Sequence, residues 1–209
     1  MYRAFSREKM SLQEQGGKIM EFIGSKTEKN VLAAFAGESQ ARNRYSYFGK
    51  VAKQEGYEQI AAIFLQTAEE EKAHAKQFFS FLKGGMVEIT AAYPAGVIGT
   101  TKENLKAAAD GEMLEWGTLY PAFAGTAKEE GFVPIANLFR QIAVVEKYHE
   151  QRYNRLLANV EKGKVFKRDT KILWYCRECG YVIEGTTAPA KCPACGHPQA
   201  YFEVYAENF

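Results

Sequence analysis

Two stretches of this sequence each place a glutamate and a histidine three residues apart: Glu71-Lys72-Ala73-His74 and Glu146-Lys147-Tyr148-His149. Three residues is close to one helical turn, so on a helix both members of a pair share a face. The apolar stripe around the first pair runs Ile60, Ile63, Phe64, Thr67, then Glu71 and His74, then Phe78 and Phe81. The second runs Ile135, Leu138, Phe139, Ile142, then Glu146 and His149, then Tyr153 and Leu156. Both pairs interrupt a face that should enter a core. Two further stripes are interrupted in the same way: Val31, Phe35, Glu38, Arg42, Tyr45, Phe48, and Leu105, Ala108, Glu112, Glu115, Leu119.

A single helical glutamate is ordinarily a solvated surface residue, and a single core histidine ordinarily a hydrogen-bonded packing residue. Five carboxylates converging on one core are a different matter. Burying even one uncompensated charge costs several kcal/mol. Of the basic side chains only Arg42 sits near these stripes, whereas two di- or trivalent cations would balance the charge. Two of the chain's three histidines fall in the Glu-x-x-His units. One glutamate from each of two helices, with Glu-x-x-His from each of two others, is the recurring pattern of di-iron and di-manganese carboxylate centres. Carboxylate oxygens suit iron or manganese and imidazole suits iron, while zinc usually brings fewer carboxylates. Tyr45 and Tyr120 each lie about two turns beyond the first glutamate of their segment, where a hydroxyl can hydrogen-bond a ligating carboxylate.

A second constellation lies near the C-terminus. Cys176-Arg177-Glu178-Cys179-Gly180 and Cys192-Pro193-Ala194-Cys195-Gly196 form two Cys-x-x-Cys knuckles, the pattern for one tetrahedral metal held by four thiolates. These are the only cysteines in the chain. The glycine after each second cysteine lets backbone N–H groups turn towards the sulfurs. Spacing does not separate a structural zinc from a one-electron iron, although a neighbouring di-iron site needs electrons and favours iron. His197 reads as a loop residue.

Four long helices must position the first constellation. The first opens at Ser25, with Glu28 completing a capping-box pattern, and runs to about Gln54. The second runs from about Tyr57 to Lys83. A crossover containing Pro94, Gly96 and Gly99 precedes the third, which opens at Thr100 with Glu103 and ends before Gly131. Pro121 should kink or split it. The fourth runs from about Val133 to Val160, with Pro134 in its first turn. One long connection between two helical hairpins suggests a ferritin-like four-helix bundle. The hairpins repeat: Lys53-Gln54-Glu55-Gly56-Tyr57 matches Lys128-Glu129-Glu130-Gly131-Phe132, Glu38 matches Glu112, and each histidine follows its glycine at the same interval. Glu115 has no counterpart, since Ala41 stands at that offset. The expected division is an N-terminal extension over residues 1–23 (a loose segment or short helix), a bundle over 24–164, and a small β-rich domain over 165–209. The fold class is mainly α.

The totals agree. The chain has 209 residues, 46% of them apolar and 25% charged, with a net charge of +2, too small to suggest nucleic acid or an anionic membrane as partner. No apolar run is long enough for a membrane span, and the first twenty residues lack a secretory pattern, so the cytoplasm is expected.

The stretches Gly24-Ser25-Lys26-Thr27-Glu28-Lys29-Asn30, Ala36-Gly37-Glu38-Ser39-Gln40-Ala41-Arg42-Asn43-Arg44-Tyr45 and Cys192-Pro193-Ala194-Cys195-Gly196-His197-Pro198 closely resemble the rubrerythrin family. The resemblance covers nearly all of residues 23–209. It implies two non-haem irons on Glu38, Glu71, His74, Glu112, Glu115, Glu146 and His149. It implies a third iron on Cys176, Cys179, Cys192 and Cys195 in a rubredoxin-like domain. It implies reduction of hydrogen peroxide to water in oxidative-stress defence, with electrons from an external NAD(P)H-dependent reductase, and a homodimer. One iron changes ligand with redox state in the family, and by position the exchanging pair here is Glu115 and His74. The rival readings are an iron-storage shell, a dioxygen-using oxidase, and a zinc-bearing module that docks a partner.

Overall fold

The computed structural model describes residues 21–208, so all but the last three residues of the expected N-terminal extension lie outside the described part. Helix α1 spans Lys26–Gln54, with Ser25 accepting the Glu28 N–H at 2.9 Å. Helix α2 spans Glu58–Phe79. It stops four residues short of the expected Lys83. The Ser80 hydroxyl donates to the Gln77 carbonyl at 2.6 Å, offering the backbone an alternative to a further turn. Phe81 and Leu82 then fold against the cluster around Val31 and Phe78.

The third long helix has three parts: α3 over Thr101–Leu114, a π-helical turn over Glu115–Leu119, and α4 over Tyr120–Glu129. The break expected at Pro121 thus falls just before it. Pro121 has no N–H to give the Gly117 carbonyl, so it cannot complete an α-turn there. The Tyr120 N–H instead reaches five residues back to the Glu115 carbonyl. The repeat explains why the turn is wide. Seven residues separate Glu38 from Tyr45, but eight separate Glu112 from Tyr120. A π-turn absorbs one extra residue without disturbing the helix on either side. Helix α5 spans Val133–Glu161, with Pro134 in its first turn.

Helix α1 packs along α2, and α5 packs along both α3 and α4, so each hairpin is one half of the bundle. The halves are capped reciprocally. Gly56 and Gly131, at equivalent positions, adopt φ of 83° and 87° and end their helices. The glutamate before each then reaches the start of the other half: Glu130 accepts the Thr27 N–H at 2.8 Å, and Glu55 accepts the Thr101 N–H at 3.1 Å. Free N–H groups at both helix starts are satisfied by a carboxylate, which also suits the helix dipole.

Two aromatic layers fill the core. Tyr45, Phe64 and Tyr153 form one, with ring centroids 5.2–6.2 Å apart. Phe78, Tyr120 and Phe139 form the other, at 5.1–5.9 Å. The layers are repeat equivalents, and each draws one ring from the opposite half.

The chain then forms a three-stranded antiparallel sheet in the order β2-β1-β3: β1 Lys167–Cys176, β2 Val182–Thr187 and β3 Phe202–Val204. Trp174 pairs with Ile183 and Val204, and with Phe202 it fills a small core. This unit rests on the bundle where Phe166 stacks on Tyr57, centroids 6.1 Å apart and nearly parallel. Among the described residues, no helix is long and apolar enough to cross a membrane.

Candidate metal centres

Between the two aromatic layers lies a slab of carboxylates. Glu38, Glu112 and Glu146 are fully buried, and Glu71 and His149 nearly so. They form two adjoining clusters, Glu38–Glu71–His74–Glu146 and Glu71–Glu112–Glu146–His149, each with its ligand-type atoms within 4.8 Å of one another. Glu71 and Glu146 belong to both. His74 Nδ1 stands 2.9 Å from Glu146 and 3.0 Å from Glu71, and His149 Nδ1 stands 2.8 Å from Glu146 and 3.2 Å from Glu71.

These groups strain one another electrostatically. Burial, followed by the charges of Glu71, Glu146 and Glu115, pushes the Glu112 carboxyl well above its usual range. Burial also dominates at Glu38, which is raised in the same way. Burial alone would lower His149, but the carboxylates of Glu146, Glu70 and Glu71 outweigh it and raise its pKa to about 12. His74 is likewise raised against its burial by Glu146, Glu38 and Glu71. Burial would raise Glu71, but the two histidines overcome it and draw it down to about 2.

Several buried atoms remain without a hydrogen bond: Glu38 Oε2, Glu71 Oε1, Glu112 Oε2, both oxygens of Glu146, and His149 Nδ1. Buried polar atoms are normally paired. A set of orphaned oxygens and an imidazole nitrogen, all turned to one interior, fits two cations with oxygen-rich, nitrogen-containing coordination.

The other oxygens of the two outer glutamates are held by tyrosines from the opposite half. Tyr45 donates to Glu112 Oε1 at 2.5 Å, and Tyr120 donates to Glu38 Oε1. Burial is the main reason both phenols keep their protons well above the usual range, so both act as donors. Glu115 stands outside the two clusters on the π-turn, partly exposed. Desolvation and the charges of Glu38, Glu146 and Glu71 hold its carboxyl up. It borders a cavity of about 250 Å³ shared with Gly37, Arg44, Pro94 and Tyr120.

Arg42, the basic residue expected near the slab, turns outward to Glu69 at 3.3 Å. Arg44 lies closer, its positive charge acting on Glu115 and its Nη1 donating to the Pro94 carbonyl at 3.3 Å. The sequence reading also missed Glu70, which meets the far nitrogen of His149 at 3.1 Å. A comparison of the two halves could have found it, because Val145 occupies its equivalent position.

The four cysteines are free thiols whose sulfurs lie within 4.8 Å of one another. Cys176 and Cys195 are 3.8 Å apart, and Cys179 and Cys192 are 3.7 Å apart. A tetrahedron with metal–sulfur bonds of about 2.3 Å has edges of about 3.8 Å, so the cage fits one metal. Gly180 and Gly196, at φ of 80° and 78°, close the knuckles. Desolvation would raise Cys192, but the backbone N–H groups of Cys195 and Ala194 prevail and lower it to about 6. His197 packs against Tyr201, centroids 4.6 Å apart, and is not part of the cage.

A family model described as "Rubrerythrin" matches residues 29–157, and one described as "Rubrerythrin, rubredoxin-like domain" matches residues 174–203. A rubrerythrin of Porphyromonas gingivalis is 62% identical over 200 residues, covering 96% of this chain and all of the relative. A rubrerythrin of Nitratidesulfovibrio vulgaris is 54% identical, covering 89% of this chain and 97% of the relative. Among solved structures, partially reduced nigerythrin superposes with a TM-score of 0.59 at 30% identity, over 94% of this chain and all of that one. The bacterioferritin of Desulfovibrio desulfuricans shares the fold, with a TM-score of 0.61 at 23% identity, over 66% of this chain and 82% of that one.

Proposed function

The chain belongs to the rubrerythrin family, with a di-iron bundle and a rubredoxin-like four-cysteine site, and on that footing we propose that it is a peroxidase. It reduces hydrogen peroxide to water with electrons that pass through its own four-cysteine iron from an external NAD(P)H-dependent reductase. Its setting is oxidative-stress defence in the cytoplasm, as a homodimer. The bundle corresponds to residues 24–164 and the rubredoxin-like unit to 165–209. The observation that carries the reading is the pair of adjoining clusters sharing Glu71 and Glu146, in one chain with a thiolate cage.

Glu38, Glu71, His74 and Glu146 would hold one iron, and Glu71, Glu112, Glu146 and His149 the other, with Cys176, Cys179, Cys192 and Cys195 holding the third. When bound, the two bundle irons supply the Lewis acidity and the two electrons that splitting the peroxide O–O bond requires. Tyr45 and Tyr120 keep Glu112 and Glu38 oriented through their hydroxyls. Glu115 would be the carboxylate that exchanges with His74 as ligand; it stands on the widened turn, beside the two clusters but outside them. The cavity beside it has room for a small oxidant.

The test is anaerobic stopped-flow absorbance on the iron-loaded, reduced protein mixed with hydrogen peroxide. Rapid di-iron oxidation, then slower growth of ferric-thiolate absorbance, is expected. Slow oxidation by peroxide with fast oxidation by dioxygen, or iron uptake beyond about three per chain, would replace this reading with an oxidase or a storage protein.

A further inference from the structure

The halves of the bundle repeat, so each departure from the repeat marks a difference between the two metal positions. Counted from Gly56 and Gly131, Glu71 matches Glu146 and His74 matches His149. Three neighbours do not match in kind: Thr67 stands opposite Ile142, Glu70 opposite Val145, and Arg152 opposite Gln77. The structure brings these three polar residues together. Arg152 Nη2 donates to Thr67 Oγ1 at 2.7 Å and to Glu70 Oε2 at 2.8 Å. Gln66 Nε2 donates to Glu70 Oε1 at 2.8 Å. Glu70 Oε2 in turn lies 3.1 Å from His149 Nε2, while His149 Nδ1 faces Glu146 and Glu71.

By the repeat, the positions equivalent to this trio are Ile142, Val145 and Gln77. There His74 Nδ1 faces the shared carboxylates, and among the described residues no carboxylate lies within ion-pair distance of its Nε2. One histidine therefore has a carboxylate beside each ring nitrogen, and the other only beside Nδ1.

We propose that Glu70, braced by Arg152 and Thr67, is a positioning residue that locks the His149 ring with its proton on Nε2 and its Nδ1 lone pair aimed into the bundle. The inference rests on His149 being a metal ligand. A neutral imidazole carries one N–H, so a carboxylate at Nε2 fixes which nitrogen can ligate and in what plane the ring lies. Arg152 makes this workable, because its guanidinium balances the half-buried Glu70 charge and its second contact, to Thr67, fixes the carboxylate's direction. The position held by His149 is rigid. The position at His74 lacks the brace, so no carboxylate at Nε2 holds its ring. The unmatched Glu115 lies on the opposite side of the break in symmetry, so one metal position gains an anchor and the other an alternative ligand.

The test uses the full chain loaded with zinc as a diamagnetic probe, which also fills the thiolate cage equally in every variant. Glu70→Val copies the residue found in the other half. Glu70→Gln keeps an oxygen that accepts from Nε2. Two readouts are taken: competition with a chromophoric chelator, and nitrogen–proton correlation spectra of 15N-histidine-labelled protein. In the unaltered protein one slowly exchanging imidazole N–H is expected from His149 Nε2. Glu70→Val should lose that signal and weaken one of the two bundle zinc positions about ten- to a hundredfold. Glu70→Gln should keep the signal, with a smaller downfield shift, and stay within a few-fold of the original affinity. Unchanged signal and affinities in Glu70→Val would overturn the proposal, as would equal weakening at both positions, which marks general loosening. Absence of any zinc-induced shift at His149 Nδ1 in the unaltered protein would overturn the ligand assignment as well. Peroxide turnover enters neither readout, so the peroxidase reading stands or falls separately.

Discussion

Replacing Tyr45 by phenylalanine removes one oxygen from a fully packed layer and leaves the ring in place. Among the described residues that oxygen is the only hydrogen-bond partner of Glu112 Oε1, at 2.5 Å, and both residues are at most 1% exposed. The gap left behind is smaller than a water molecule, so nothing replaces the donor. A hydrogen bond to a charged group contributes about 1.5–3 kcal/mol. At about 1.4 kcal/mol per decade, that converts to a roughly ten- to hundredfold loss of affinity at the metal position served by Glu112. The assay is chelator competition, together with thermal unfolding of the metal-loaded protein. Tyr153 provides an internal control. It lies in the same layer, its ring 5.5 Å from Tyr45, but among the described residues its hydroxyl has no hydrogen-bond partner. Tyr153→Phe should therefore leave metal affinity unchanged and leave stability equal or slightly higher. If the two variants behave alike, the hydroxyl of Tyr45 does not hold Glu112 and the reasoning fails.

Metal removal should make stability strongly pH-dependent. In the metal-free protein Glu38, Glu112 and Glu115 keep their protons above the ordinary carboxylate range, and His149 keeps its own to about 12. The unfolded chain releases these protons near pH 4.5 and 6.5, so above those values it binds fewer protons than the folded chain and stability falls as pH rises. Glu71, drawn down to about 2, acts oppositely but only below about pH 4.5. Unfolding temperature measured from pH 5 to 9 should drop steadily without metal and much less with it; a flat metal-free profile would contradict the buried-proton account. Cys192→Ser should abolish metal binding by the thiolate cage and melt the small domain, read as loss of the near-ultraviolet signal of Trp174, while the helical signal persists. Deleting Gly117 should restore a seven-residue spacing from Glu112 to Tyr120, convert the π-turn to α-helix, and keep helix content. Glu115 would then stand where Ala41 stands in the other half, and peroxide turnover should fall; wild-type turnover would remove any role for the widened turn.

Periodicity alone determined a great deal here. Stripe positions singled out Glu38, Glu71, His74, Glu112, Glu115, Glu146 and His149, because a period of 3.6 assigns each residue to one side of its own helix; the structure buries Glu38, Glu71, Glu112, Glu146 and His149 and leaves His74 and Glu115 partly exposed. Knuckle spacing identified the four cysteines, since only two residues separate the thiolates of each pair. Capping residues marked the starts of α1 and α3, and the repeated glycines marked two of the ends. What periodicity does not contain is the partner across the gap. That Tyr45 serves Glu112 rather than Glu38, that Arg42 turns outward to Glu69, and that Glu70 meets His149 all depend on how two helices face each other, which no single helix encodes. The end of α2 was misjudged because Ser80 supplies a competing hydrogen bond at one residue, while Phe81 and Leu82 gain burial only after the chain has left the helix. The extra residue between Glu112 and Tyr120 can be counted in the sequence, but a loop, a kink or a register shift would absorb it equally well on paper. Only the packed bundle decides for a π-turn, because Tyr120 must reach Glu38 on one side while Glu112 keeps its place in the slab on the other.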